Sequence, residues 1–293
     1  MTQLTSIQPV PGLTRFAPSP TGRLHLGHVL AAEAVWSMAE RLDLRVLLRI
    51  EDIDTTRCRP ASETAMLDDL RWLGFAWDEE PVLRQSERGA IYLAAADRLR
   101  ALGLLYPCGC TRRDILAAWG ETPAYGPEGL RYPGSCRNLT FSDLGMNEPA
   151  AWRLNMSGAL ARLDALGRDL LTPIVDAAKP FNFRELAETT GDVILCRRDI
   201  GTSYHLSVTV DDAAQGVTHV MRGQDMHDAT AVHRVLQALL DLPTPTYAFH
   251  PLIMAGAGRK LSKRDGAEGL AALREAGLSP SQVRAIAREA VTV

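Results

Sequence analysis

Two histidines three residues apart and a pair of lysines far downstream are the side chains here whose types and spacing could do chemistry. His25 and His28 close the stretch Arg15-Phe16-Ala17-Pro18-Ser19-Pro20-Thr21-Gly22-Arg23-Leu24-His25-Leu26-Gly27-His28. Of only three lysines in the chain, at 179, 260 and 263, two fall in Gly258-Arg259-Lys260-Leu261-Ser262-Lys263-Arg264. Imidazoles three apart at a helix start share one face and can reach the same anion. An ammonium on a flexible stem is a compact charge that can swing onto a polyphosphate. Gly27 leaves room for a flat base to approach the backbone.

The elements that must position these groups follow from local pattern. Residues 14–17 read as a strand, Pro, Ser, Thr and Gly as a tight turn, and residues 27–42 as an amphipathic helix carrying Val29, Leu30, Ala34, Val35 and Met38. A helix opening after such a turn aims backbone N–H groups and its positive dipole end at an anion. Residues 46–50 form a nearly continuous apolar run, as in a parallel strand covered on both faces. Strand, helix and strand make a βαβ unit, so the fold class is α/β with a doubly wound parallel sheet. Glu51 and Asp52 then stand at the carboxyl end of the second strand, where open α/β sheets bind ligands. Asp52 and Asp54 are expected to pair with nearby arginines.

Helices are expected over 61–73, with Met66, Leu70 and Leu73 on one stripe, and over 87–102, capped by Ser86 and stopped by Gly103. Trp72 and Trp77 read as core. Later, residues 151–156 and 172–175 read as short strands, and 192–196 as the return to the main sheet, with Cys196 a buried apolar residue. A helix over 229–240 carries His233, read as structural, and 246–254 is the last strand. Residues 267–276 and a capping-box start at Ser279-Pro280-Ser281-Gln282 give two closing helices.

At 293 residues and 46% hydrophobic, the chain can bury a substantial core as one α/β body plus an insertion. A net charge of −3 argues against nonspecific coating of nucleic acid, which rests on many phosphate contacts. Arg112, Arg113, Arg131, Arg137 and Arg153 leave a local basic patch as an option. No apolar run is long enough for a bilayer and residues 1–13 lack a signal-peptide pattern, so a cytoplasmic protein without membrane contact, and a monomer, are expected.

Five cysteines, at 58, 108, 110, 136 and 196, are an odd count for a disulfide framework. Cys108, Cys110 and Cys136 fall within 29 residues of a Gly- and Pro-rich segment, a pattern suited to a structural zinc. The alternative is three reduced thiols without metal. No histidine occurs between His28 and His205, so Tyr132, Tyr125, Asp114, Glu121 or water remain as candidate fourth ligands.

The pair HLGH and KLSKR resembles the HIGH and KMSKS signatures of class I aminoacyl-tRNA synthetases. The glutamyl branch is matched in particular by RFAPSPTGRLHLGH, by Arg49-Ile50-Glu51-Asp52-Ile53-Asp54 and by Val208-Thr209-Val210-Asp211-Asp212, and the resemblance runs from about residue 14 to 264. It implies a Rossmann-like catalytic domain in two halves, 1–106 and 192–257, around a zinc-binding insertion at 107–191, with the lysine loop and a short helical tail at 258–293. It implies glutamate contacts at Arg15, Phe16, Ala17, Pro18, Ser19, Glu51, Tyr204 and Arg222, Glu51 holding the α-amino group. ATP, with Mg²⁺ on its phosphates, would meet His25, Gly27, His28, Lys260 and Lys263. Arg15 and Arg222 suit carboxylates because guanidinium binds them bidentately.

Three departures resemble the short glutamyl-Q branch of that family. Tyr132, four residues before Cys136, matches its fourth zinc ligand. Val208 replaces an Asn of the longer enzymes, which should weaken glutamate binding by removing an amide donor. The 30 residues after Lys263 are too few for an anticodon-binding domain, and none is expected. The resemblance implies tRNA-independent activation of L-glutamate with ATP and transfer to queuosine in the anticodon stem-loop of tRNA(Asp). The alternatives are a truncated glutamyl-tRNA synthetase charging the 3′ end of tRNA(Glu), or a noncatalytic nucleotide- or RNA-binding paralogue. Lys263→Ala is expected to slow ATP–pyrophosphate exchange by about two orders of magnitude or more while circular dichroism stays unchanged. Near-normal exchange would remove Lys263 from the chemistry.

Overall fold

Thr14, Arg15 and Phe16 are buried in the strand β1 (Leu13–Phe16), and the Pro-, Ser- and Gly-containing turn then delivers the chain to α1 (Leu26–Leu42). This computed structural model describes residues 12–143, 150–175, 180–255, 259–260 and 269–290. The stripe Val29, Leu30, Val35 and Met38 of α1 is buried, as its spacing requires. β2 (Arg45–Ile50) pairs parallel with β1, and after α2 (Pro60–Trp72) β3 (Asp78–Arg84) pairs parallel with β2. Trp72 and Trp77 are only partly buried, packed at the edge of this core.

Ser86 does not cap a helix at 87. Its N–H and Oγ donate to Asp52 at 2.8 and 2.6 Å, in place of the arginine expected there. Gln85–Arg88 form a 3₁₀ turn, and α3 (Gly89–Ala101) begins beyond it. Asp54 does meet an arginine, Arg197, at 3.5 Å.

The insertion opens with β4 (Leu105–Cys108), then α4 (Arg112–Trp119) and a hairpin of β5 (Tyr125–Gly126) and β6 (Gly129–Leu130). It continues through β7 (Ala151–Leu154), α5 (Met156–Ala165), α6 (Leu186–Thr189) and β8 (Ile194–Cys196). The strand expected over 151–156 stops at Leu154 because Asn155 caps α5, accepting from the Gly158 N–H. Residues 172–175 contribute one parallel bridge, Ile174 to Tyr247. The return at 192–196 is not to the main sheet, because β8 pairs antiparallel with β7, which also pairs antiparallel with β4. Buried Asp192 anchors this turn inside the insertion, accepting from Tyr106 Oη (2.5 Å), Arg137 Nε (2.9 Å) and the Met156 N–H (3.0 Å).

α7 (Tyr204–Ala214), β9 (His219–Gly223), α8 (His227–Leu239) and β10 (Thr246–His250) rebuild the parallel layer. β9 runs beside β1, where the Thr218 N–H donates to Leu13 O at 2.9 Å. The strand expected over 246–254 ends at His250, ahead of Pro251, whose ring nitrogen has no proton to donate. β11 (Met254–Ala255) and β12 (Arg259–Lys260) then pair antiparallel. α9 (Leu270–Glu275) and α10 (Pro280–Glu289) follow, the second with the Ser279–Gln282 capping box expected of it.

Two large cores among the described residues hold these layers. One lies among β1, β2, α1, α2 and the closing helices. The other joins α3, α5, α7 and α8 to the β4–β7–β8 sheet, so the insertion shares a core with the second half of the parallel layer. α10 lies on α1, with Arg284 and Arg288 both reaching the buried Glu33. Among the described residues no helix is long and apolar enough to cross a membrane.

Candidate active site

α1 begins at a histidine cap. His25 Nδ1 accepts from the Gly27 N–H at 3.1 Å, while His28 Nδ1 accepts from the His25 N–H at 3.2 Å, a capping box built from imidazoles. A neutral ring that accepts at Nδ1 carries its proton on Nε2. Both rings, 3.8 Å apart between centroids, are thereby set as N–H donors. A Cβ on Gly27 would lie 2.9 Å from His25 Cε1, so any other residue there would push this ring aside.

His25, Gly27 and His28 line a cavity of about 710 Å³, together with Pro18, Ser19 and Arg57 on one side and Asp225 and Met226 on the other. A smaller chamber of about 140 Å³ is lined by Arg15, Glu51, Tyr204 and Arg222. The two share Phe16, Ala17, Ala31, Gly223 and His250, so they adjoin. Six of the eight residues expected at the amino acid thus gather in the smaller space, while Pro18 and Ser19 face the larger one. Lys260 lies on β12, and Lys263 and Lys179 fall outside the described residues. The backbone just beyond the lysine segment does reach the histidine turn: Gly269 bridges His25, and the Leu270 N–H donates to Leu24 O at 3.0 Å.

The smaller chamber is built on buried charge. Asp212 Oδ1 accepts from Arg15 Nε at 3.0 Å and from Arg49 Nη1 at 2.7 Å, and Arg49 Nη2 donates to Glu51 Oε1 at 3.1 Å. Burial would raise the Asp212 carboxyl, but Arg15, Arg49 and Arg222 hold it below the usual range. Glu51 is pushed upward by burial, which Arg49 and Arg15 only partly offset. Arg222 Nη1 donates to Thr230 Oγ1 at 3.0 Å and to His233 Nδ1 at 2.9 Å. Its Nε and Nη2 are buried and find no partner among the described residues. Two such donors side by side suit a carboxylate. With both carboxylates ionised, three guanidiniums against them leave one positive charge, matching the single net negative charge of a free acidic amino acid. Val208 is buried one turn after Tyr204 but is not among the residues lining the chamber.

Residues 13–291 match the family of tRNA synthetases class I (E and Q), catalytic domain. The chain belongs to this class I synthetase family. It is 49% identical over 276 residues to a glutamyl-Q tRNA(Asp) synthetase of Rhodobacter capsulatus, covering 93% of this chain and 98% of the relative. A protein of the same name from Nocardia farcinica is 44% identical over 94% of this chain and 83% of its own length. Among solved structures, a glutamate tRNA ligase from Elizabethkingia meningosepticum in complex with its amino acid superposes with a TM-score of 0.68 at 29% identity. That match covers 88% of this chain and 53% of the ligase, so the chain spans about half its length.

In this class I synthetase the insertion gathers Cys108, Cys110 and Cys136, whose sulfurs all lie within 4.8 Å of one another. Cys110 Sγ is 3.5 Å from Cys136 Sγ and 3.7 Å from Tyr132 Oη, and Tyr132 Oη accepts from the Cys136 N–H at 2.8 Å. Burial alone would raise the Cys108 thiol, yet hydrogen bonds from Tyr132 and Arg153 bring it below the ordinary cysteine range. Cys110 is pushed up to about 11 by burial and its sulfur neighbours. Three thiols and a phenol around one point, with the Arg153 guanidinium 3.9 Å over the Tyr132 ring, are the donor chemistry of a thiophilic cation. Arg131, Arg137 and Arg153 are engaged within the insertion, by Glu188 O, Asp192 and Asp192 O, while Arg112 and Arg113 are exposed on α4.

Arg49, Asp212, Arg57 and His250 were not singled out by spacing. The only signal was a cation in the middle of an apolar strand, which needs a buried counter-ion. His25→Asn should keep an acceptor where Nδ1 stands, and so the helix cap, while removing the Nε2 donor. Its melting temperature should stay near that of the wild type and its ATP–pyrophosphate exchange should fall by about two orders of magnitude. His25→Leu should also lose the cap, about 1 kcal/mol or 2–4 °C. Full activity in His25→Asn would detach the ring from the reaction.

Proposed function

We propose that this chain activates L-glutamate with ATP to glutamyl-adenylate and transfers the glutamyl group to queuosine in the anticodon loop of tRNA(Asp). The observation that carries the reading is the adjoining of two chambers, one edged by the histidine cap and one holding the Arg222 donors that have no partner among the described residues. Similarity to two glutamyl-Q tRNA(Asp) synthetases over 98% and 83% of their lengths supports the acceptor.

The α-carboxylate is the group that must react, so it faces the larger chamber and the γ-carboxylate takes Arg222 Nε and Nη2. Glu51 receives the ammonium group. ATP lies over Gly27 with its phosphates toward His25, His28, Lys260 and Lys263. A carboxylate oxygen attacks the α-phosphorus, the bond to the bridging oxygen breaks and pyrophosphate leaves. A hydroxyl of the modified base then attacks the anhydride carbonyl and AMP departs. Positioning and charge neutralisation supply the rate, without a covalent enzyme intermediate. Mg²⁺ carried on the phosphates would add charge neutralisation there. Cys108, Cys110, Cys136 and Tyr132 would hold one structural Zn²⁺, stiffening an insertion whose own core is small.

Exchange of pyrophosphate into ATP should require glutamate and proceed without tRNA. Dependence on tRNA, with the glutamyl group recovered on a 3′-terminal fragment rather than an anticodon fragment, would favour charging of tRNA(Glu) instead. Metal analysis should find about one zinc per chain, lost when Cys108 and Cys110 are changed to Ser. A metal-free, fully folded wild-type protein would contradict the zinc assignment.

A further inference from the structure

Arg222 is held from behind by a chain of imidazoles that ends in the insertion. We propose that Glu128, on the β5–β6 hairpin, is a positioning residue for the amino acid site: it terminates the series of His205 and His233 whose hydrogen bonds hold Arg222 toward the bound carboxylate. The proposal rests on the glutamate-activation reading above and adds the route by which the insertion acts on that site.

The polarity is dictated from the arginine end. A guanidinium donates and cannot accept, so His233 Nδ1, 2.9 Å from Arg222 Nη1, must be the acceptor. The proton of His233 is therefore on Nε2, which lies 3.2 Å from His205 Nδ1 and donates to it. His205 in turn carries its proton on Nε2, directed at Glu128 Oε2 across 3.6 Å. That distance exceeds a hydrogen bond, but a carboxylate still attracts an N–H dipole across it. The opposite tautomer of His233 would set N–H against N–H at its contact with Arg222. Glu128 closes the series with the one group that cannot donate while ionised, and the His205 contact holds its carboxyl below the usual range.

Burial makes the chain selective. Arg222, His233 and His205 are 6%, 1% and 8% exposed, so water has little access to substitute for a missing partner. Thr230 Oγ1, the other acceptor on Arg222 Nη1, donates its own proton to Met226 O at 2.7 Å, which leaves that side of the guanidinium equally fixed. The hairpin is itself seated tightly: a Cβ on Gly126 would meet Thr189 O at 2.1 Å. A shift of this hairpin would act first on Glu128 and then, through two rings, on the arginine whose Nε and Nη2 have no partner among the described residues.

The test uses the full chain. Glu128→Ala should raise the glutamate KM in ATP–pyrophosphate exchange about threefold, the worth of a partly exposed charge contact. The ATP KM and kcat should stay within about twofold, and Glu128→Gln should recover most of the loss. His233→Leu should raise the glutamate KM about 10- to 100-fold, whereas His233→Asn, whose Oδ1 can accept from Arg222, should recover much of it. Side-chain ¹⁵N spectra should show both rings as Nε2–H tautomers, with the His205 Nε2 resonance shifted in Glu128→Ala. An unchanged glutamate KM in Glu128→Ala, equal effects on glutamate and ATP, or a Nδ1–H tautomer at His233 would overturn the proposal. Should the His233 variants fail to fold, the surface variants at Glu128 decide it alone. Wild-type protein without glutamate-dependent exchange would overturn the activation reading instead, while the ¹⁵N spectra would still read the tautomers.

Discussion

Asp212 is the charge on which the site is assembled. One carboxylate oxygen, buried at the inner face of α7, takes Arg15 from β1 and Arg49 from β2. Those strands and that helix are separated in the chain by the whole insertion, so this contact fastens the second half of the parallel layer to the first. Removing one partner of such a cluster leaves an uncompensated buried charge, a loss of about 3–5 kcal/mol. The same contact fixes Arg15 at the edge of the smaller chamber. With Glu51 drawn in by Arg49, the chamber keeps one positive charge for an anionic ligand.

The second constraint is backbone rather than charge. Gly269 and Leu270 pair with Leu24 and His25, and α10 then lies along α1 through Val283, Ala287 and the ion pairs on Glu33. The segment that follows the lysines is therefore tied to the turn that carries the histidines.

Much of this was legible in local pattern. His25 and His28 at a helix start, the apolar run of β2 ending at Glu51, and the three clustered cysteines needed only spacing and residue type. Long-range pairing was not. Arg49 and Asp212 lie inside apolar periodicities that give a buried face but name no partner. Ser86 has the residue type of a helix cap and instead serves Asp52, because the competing acceptor comes from another element. β8 looks like any short apolar strand, and only the buried Asp192 next to it decides which sheet it joins. His233 read as structural because nothing in an α8 apolar face announces that its Nδ1 meets an arginine of β9.

The most direct measurement is a crystal structure with a nonhydrolysable glutamyl-adenylate analogue, a glutamyl sulfamoyl adenosine. The account predicts the γ-carboxylate on Arg222 Nε and Nη2 at about 2.7–2.9 Å. It also predicts the sulfamoyl group beside the Nε2 atoms of His25 and His28, spanning the junction of the two chambers. An analogue bound elsewhere, or one that leaves those Arg222 donors without a partner, would contradict it.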